Sequence, residues 1–267
     1  MRNPLCLFLL LIPVLFSSFL SAKEGKTINI TSGEWPPYLS SSLKHGGFAA
    51  HIVSEAFAAV GVKVKYGYYP WKRSYNYALK GEDIYGGKWN GTVVWVKTPE
   101  REQDFYYSDP VIIDDEVLFF LKEKGIQWEN VNDLKGLKIG GTAHTAYPIF
   151  DEAIKRGIIT LERGGNYDAL LKRVYHQKID AAPLVKHVGF YYLTKSFSVT
   201  EALSFTYSPT VIETRQYHLI LSKQKPENQE YIKLFNQGLK KIRANGLYSK
   251  LYSRLENGFY SLPLRSK

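Results

Sequence analysis

The sequence predicts an α/β fold built on mainly parallel sheets, and three observations lead there. Strand and helix patterns alternate through "GLKIGGT", "AYPIFDEAIKRG", "IITLERG", "NYDALLKRVYHQ" and "KIDAAPL"; such alternation favours parallel strands joined by helical crossovers. Longer strand patterns near 116–122 and 215–222 stand on either side of that series, placed to cross between two lobes. No tandem repeat or low-complexity linker breaks the chain into beads.

Taken in order, the chain opens with Arg2 ahead of an apolar run from Pro4 to Leu20, then Ser21-Ala22 and the polar "KEGK". That is the form of a secretory signal peptide, residues 1–22, cleaved after Ala22. Cys6 lies at the start of the run, too early for lipidation, and reads as apolar filler. "KTINITSG" alternates as a short strand ending in a turn, and "GGFAAHIVSEAFAAVGV" has helical spacing at Phe48, Ile52, Ala56 and Ala59 before Gly61. "KVKYGYY" is a strand, "WKRSYNYALKG" a helix ending at Gly81, "NGTVVWV" a buried strand and "EVLFFLKEKG" a long one. "RQYHLILSK" is the second long strand, and the helices "PENQEYIKLFNQGLKKIRANG" and "LYSKLYSRLEN" close the chain.

The 267 residues, less the first 22, leave 245, enough for one large domain or two lobes with cores of their own. Met1 and Cys6 are the only sulfur residues. A mature chain without sulfur excludes disulfides, thiolate metal sites and cysteine nucleophiles, and suits an oxidising compartment. No second long apolar run follows, so the mature protein is expected to be soluble. The net charge of +10 becomes +9 without Arg2. Its lysines and arginines are dispersed over amphipathic segments, which speaks for solvated faces, not nucleic acid. Attraction to an acidic envelope surface or an anionic small molecule fits better. A Gly-x-Ser-x-Gly elbow, a GxGxxG turn and a phosphate loop are all missing. His45 and His51 lack a third ligand. No cofactor, metal or catalytic residue is therefore expected.

One stretch resists the local rules. In "WVKTPEREQDF", Thr98 suits an N-cap, Pro99 the first helical position and Glu100 the positive end of the dipole. Arg101 opposes that dipole. Either it pairs with Glu100, Glu102 or Asp104, or it is kept for something outside its own helix.

"SGEWPPY" (32–38), "PWKRSYNYALKG" (70–81), "GKWNGTVVWVKTPEREQDFYYSDP" (87–110), "DLKGLKIGGTAHTAYP" (133–148) and "FNQGLKKIRANGLYSKLY" (235–252) come in this order. The set resembles the amino-acid-type (family 3) periplasmic solute-binding proteins of ABC importers, over residues 27–255. The resemblance implies the type II periplasmic-binding-protein fold: two α/β lobes, each a mainly parallel sheet flanked by helices, joined by a two-strand hinge. Lobe 1 would be 23–117 plus 215–267, and lobe 2 118–214. It further implies a periplasmic monomer that encloses a small anionic or zwitterionic solute between its lobes and hands it to a membrane-embedded permease.

By the same resemblance, Arg101 is the arginine of a Thr-x-x-Arg motif that binds the ligand carboxylate, where a guanidinium fork and free helix N–H groups suit an anion. Trp35 and Trp71 occupy positions where rings line the cleft, although tryptophans are often core. Thr145, expected to open the helix after "KIGGTAH", matches a second-lobe hydroxyl on the same carboxylate, or simply caps that helix. Glu34 and Arg73 belong to the "GEWPPY" and "PWKR" variants and face either ligand or a local ion pair.

Two departures stand out. Many relatives hold the α-ammonium of the ligand with an aspartate after the strand ending Asp-Ala-Ala; here Val185 stands there, followed by Lys186 and His187. The serine often found before Thr-x-x-Arg is replaced by Val94-Trp95-Val96. A carboxylate without an ammonium, or an amine held by Glu34, fits better than an ordinary α-amino acid. Two alternatives remain open. One is a dehydratase with Glu34 as a buried acid and Arg101 as an anion clamp; the other is a soluble sensor subunit for a membrane receptor.

Overall fold

The chain, a computed structural model describing residues 26–143, 145 and 147–261, contains eight strands and nine α-helices among those residues. The expected signal peptide, residues 1–22, and Cys6 within it lie outside them. The first stretch runs β1 (Lys26–Ser32), α1 (Phe48–Ala58), β2 (Val62–Tyr68), α2 (Trp71–Lys80), β3 (Gly91–Trp95), α3 (Pro99–Asp104) and β4 (Phe105–Leu121). It continues through β5 (Lys138–Gly141), α4 (Pro148–Lys155), β6 (Thr160–Arg163), α5 (Tyr167–Tyr175), β7 (Ala181–Val185), α6 (Lys186–Ser196) and α7 (Val199–Leu203). β8 (Phe205–Ser222), α8 (Asn228–Ala244) and α9 (Leu247–Glu256) complete it.

All eight strands share one mixed sheet, ordered β2-β1-β3-β8-β4-β7-β5-β6. β1 is parallel to β2 and β3 at one end, and β5 to β6 and β7 at the other. The two parallel ends meet through the antiparallel pair β8–β4. Both long strands begin earlier than expected, because Asp109-Pro110 and Ser208-Pro209 signal turns in the sequence. In the sheet the prolines sit where the β4–β8 register shifts, and a bulge tolerates a residue without an N–H.

Alternation along β4 builds two cores on opposite faces. Val117, Phe119 and Leu121 join Leu170, Leu171 and Val174 of α5, whereas Leu118 and Phe120 join Ile139, Tyr147 and Phe150. A third and larger core gathers α1, α8 and α9 over β1 and β3. There α8 approaches α1 so closely that a Cβ on Gly238 would lie 1.8 Å from the Ala56 carbonyl oxygen. α6 was not expected. Its residues are mixed on every side, so the amphipathic stripe by which helices are found is missing.

Buried charge is matched where β4 and β8 cross. Glu116 and Glu213 are cross-strand partners, which repel when both are ionised. Arg215 Nη2 reaches both carboxylates, at 3.0 Å each. Asp114, also buried, accepts from the Tyr38 hydroxyl and from His187 Nδ1 at 2.8 Å, joining the loop after β1 to the first turn of α6. Burial pushes the Glu116 carboxyl up to about 7 against the pull of Arg215, with the Glu213 repulsion added.

A raised carboxyl means the folded chain holds this proton more tightly than the unfolded one. Stability from Glu116 is therefore full below its ordinary value of 4.5 and is lost as pH rises through about 7. Urea midpoints of wild type should fall relative to Glu116→Gln across that window and track it below. A constant offset at every pH would show that Glu116 ionises as it does in the unfolded chain.

Candidate ligand-binding site

In each end of the sheet the chain leaves the middle strand to one side and returns on the other: β2-β1-β3 and β7-β5-β6. The crevice at the carboxyl ends of such strands is the preferred ligand position in open α/β sheets. Those ends are the loop after β1 and the end of β3 in one half, and the loop after β5 and the end of β7 in the other. Four of the six candidate residues stand directly at them: Glu34, Trp35, Arg101 and Thr145. Trp71 and Arg73 come from the first turn of α2, which packs against β1 and β3.

Trp35 is half-buried, its ring centroid 4.9 Å from Tyr38 and 5.0 Å from Tyr217. The Tyr167 phenol, from the start of α5 in the other half, lies beside it. Trp35 thus packs against the large core and also faces across the crevice. Trp71 lies on Gly33, where an added Cβ would come 2.3 Å from its Cε2, and meets Trp95 edge-on with centroids 5.5 Å apart. This close approach explains a residue without a side chain at position 33.

Glu34 is exposed and locally occupied: its Oε1 accepts from the Ser41 N–H at 3.0 Å and the Ser41 hydroxyl at 2.8 Å. Burial raises its carboxyl, but hydrogen bonds from Ser40 and Ser41 outweigh this and hold it below its ordinary value. A dehydratase acid needs the opposite shift. Arg73 is exposed, and among the described residues it makes no ion pair.

Arg101 does not pair with its acidic neighbours. Among the described residues it has no salt bridge, and Glu102 pairs with Lys97 at 2.7 Å instead. Its Nη1 donates to the Val96 carbonyl at 2.9 Å, and its guanidinium carbon lies 4.9 Å from the Trp95 ring centroid. Thr98 caps α3 as expected, accepting from the Arg101 N–H at 3.4 Å.

Thr145 is a correction. α4 begins at Pro148 with Tyr147 as N-cap, because proline at the first helical position fixes the start. Thr145 lies in the preceding loop, bonded through its hydroxyl to the Thr142 hydroxyl. Arg163 Nη1 ties that loop down, donating to the Thr145 carbonyl at 2.7 Å and the Thr142 carbonyl at 3.2 Å.

At the end of β7, Val185 is buried and precedes α6 without a side-chain cap. Lys186 Nζ stands 5.1 Å over the Tyr207 ring, and His187 is held by Asp114. Sequence reasoning did not single out Trp95, Arg163 or Tyr167. Only Trp95 carried a signal, since it adjoins the Thr-x-x-Arg motif. Away from the crevice, His45 and His51 stack at 3.8 Å, and no metal-holding group of three or more ligands occurs among the described residues.

Gly33→Ala should displace the Trp71 indole. Because Trp71 is half-exposed, we expect a changed tryptophan emission with a melting temperature within about 4 °C of wild type, the effect of ~1 kcal/mol or less in a chain of this size. Unchanged emission would mean that the indole does not rest on Gly33.

The sequence profile of the bacterial extracellular solute-binding proteins, family 3, matches residues 28–255. A probable histidine-binding protein of Neisseria gonorrhoeae is 23% identical over 240 residues, 88% of this chain and 84% of that protein. The fold is similar to the second substrate-binding domain of GlnP from Lactococcus lactis, in an open conformation, with a TM-score of 0.65, 18% identity and 87% and 96% of the two chains covered. A histidine kinase sensor domain with similarity to periplasmic binding proteins gives a TM-score of 0.64 at 15% identity, covering 86% and 96%. These likenesses identify the type II periplasmic-binding-protein fold. No helix among the described residues is long and apolar enough to cross a membrane.

Proposed function

The chain belongs to the bacterial extracellular solute-binding proteins, family 3, and from that premise we propose that it captures a small carboxylate-bearing solute for a membrane-embedded ABC importer. The lobes in this reading are 23–117 plus 215–267 and 118–214, the solute lies between them, and the protein works in the periplasm as a monomer. Arg101 carries the reading. It is a half-buried guanidinium at a strand-to-helix junction, held by a carbonyl and an indole while every neighbouring acid is left unpaired with it. Such a group keeps its charge and donors for an incoming anion. Trp35, Trp71 and Arg73 flank it in this reading, and Thr145 approaches from the second lobe.

The solute is a carboxylate without an α-ammonium. Val185 supplies no anion where an ammonium would be held, and the first turn of α6 adds Lys186 and His187. Glu34 is engaged with Ser41. Binding without turnover is part of the same proposal: Glu34, the acid a dehydratase would use, is held below its ordinary value by Ser40 and Ser41.

Arg101→Ala should weaken binding by about 30-fold to several thousand-fold, equivalent to ~2–5 kcal/mol for an anion left unpaired in a closed cleft. Arg101→Lys should recover only part of this, because an ammonium lacks the two-pronged geometry. A calorimetric screen of the standard amino acids against carboxylates lacking an ammonium measures both. Tight binding of an unmodified amino acid that survives Arg101→Ala overturns the reading. So does conversion of a bound compound to a new one, followed by NMR.

A further inference from the structure

We infer that Trp95 is a positioning residue: its indole is the platform that holds the Arg101 guanidinium in place. This rests on the reading of Arg101 as the carboxylate clamp only for its consequence in binding; the platform itself stands on the geometry of β3.

β3 does not continue its pleat to its end. Gly91, Thr92 and Val93 pair in register with Leu221, Ile220 and Leu219, but Trp95 pairs with His218, leaving Val94 as an extra residue. Val94 has a φ of 67°, a left-handed backbone that a β-branched residue rarely adopts. Strict alternation would put Trp95 on the face of Val93, inside the large core. The bulge turns it to the face of Thr92 instead. There Thr92 meets Ser74 of α2 at 3.1 Å, and the Trp95 Nε1 donates to the Thr92 hydroxyl at 3.1 Å. Bulges are known for re-aiming a side chain next to a site, and strained backbone persists only where its surroundings enforce it.

Once turned, the indole packs on one face of α2, where Trp71 and Tyr75 stand four residues apart: Trp71 meets it edge-on at 5.5 Å, and Tyr75 is tilted against it at 5.1 Å. It also packs against buried Ala78, Phe105 and Ile220, and the Arg101 guanidinium carbon stands 4.9 Å from the ring centroid. One edge of the guanidinium is tied to the Val96 carbonyl, so the cation is fixed through a ring and one donor. An aromatic face attracts a guanidinium without neutralising it. A carboxylate in the same place would orient Arg101 equally well but would compete with any anion arriving there.

The test is arginine modification by phenylglyoxal, read by peptide mass spectrometry on the purified protein, with benzoate as the carboxylate probe and Arg243 as an internal reference. Arg101 of Trp95→Leu should react about 5- to 30-fold faster than wild type, the range for loss of a part-buried cation–π contact. Arg243 should react at an unchanged rate, and Trp95→Phe, which keeps a ring, should return Arg101 close to the wild-type rate. Benzoate should protect Arg101 in wild type and in Trp95→Phe, and protect it less in Trp95→Leu by a similar factor. Equal Arg101 rates in all three proteins overturn the inference. So does acceleration of Arg243 along with Arg101, in Trp95→Leu and Trp95→Phe alike, since that reports a loosened fold. Acceleration confined to Arg101, with no carboxylate protection even in wild type, removes the binding role and sinks the clamp reading while leaving the platform.

Discussion

The antiparallel pairing of β4 with β8 is the constraint on which the other parts depend. Each half of the sheet is a three-stranded parallel unit, and parallel units present their carboxyl ends, with any site there, toward one crevice. Only the long pair carries hydrogen bonding from one unit to the other through the sheet order. Its middle therefore has to bend between two rigid ends while staying paired. The register shifts near Pro110, Val117 and Pro209 flank that middle, where Ile112–Glu116 pair in unbroken register. The buried acids Asp114 and Glu116 lie in this regular stretch, and their partners come from other elements of the molecule. A buried charge without a partner is strongly destabilising, so Tyr38, His187 and Arg215 are needed where they are for the strands to cross as they do.

Charge around α6 follows from the same crossing. Lys186 lies at the positive end of a helix dipole, which a cation opposes, with His187 beside it. The acid at this helix start is Asp114 on β4, not a residue of the helix, and it accepts from the His187 ring at 2.8 Å and the His187 backbone N–H at 3.4 Å. The first turn is thus stabilised from β4, and the helix starts at Lys186 with no acid of its own. An observer of the sequence sees a missing aspartate; the fold supplies a carboxylate from the opposite direction, already engaged by Tyr38 and His187.

Much of this was legible beforehand. The strand–helix alternation gave the α/β class, and α2, α3, α8 and α9 fall close to their predicted spans because Thr98 and Pro99 start α3, Gly81 ends α2 and Gly246 separates α8 from α9. The first halves of β4 and β8 were hidden by X-Pro dipeptides, whose turn preference is overridden by bulged pairing. α6 was hidden by its lack of an apolar stripe. At the site, the oddity of Arg101 in a first turn was visible, but what holds it was not. The bulge at Val94 depends on pairing with β8, more than a hundred residues away, and no local pattern reports it. The helix after β5 starts at Pro148, three residues beyond Thr145, because a proline suits the first helical position and a threonine in the motif does not set the start by itself.

Two oddities of one short stretch then account for each other. Arg101 opposes its helix dipole, and Trp95 follows a bulged residue, Val94, with a left-handed backbone. A guanidinium at that junction needs orientation, and the nearby acids Glu100, Glu102 and Asp104 would orient it at the cost of its charge. The strand instead accepts a residue at φ 67° to bring an indole beneath it, while Glu102 is drawn off to Lys97. The arrangement spends backbone strain in order to keep a cation unneutralised. In a structural arginine that would serve no purpose, since an ion pair would hold it more simply. The strain at Val94 is therefore the observation that most favours a role for Arg101 outside its own helix.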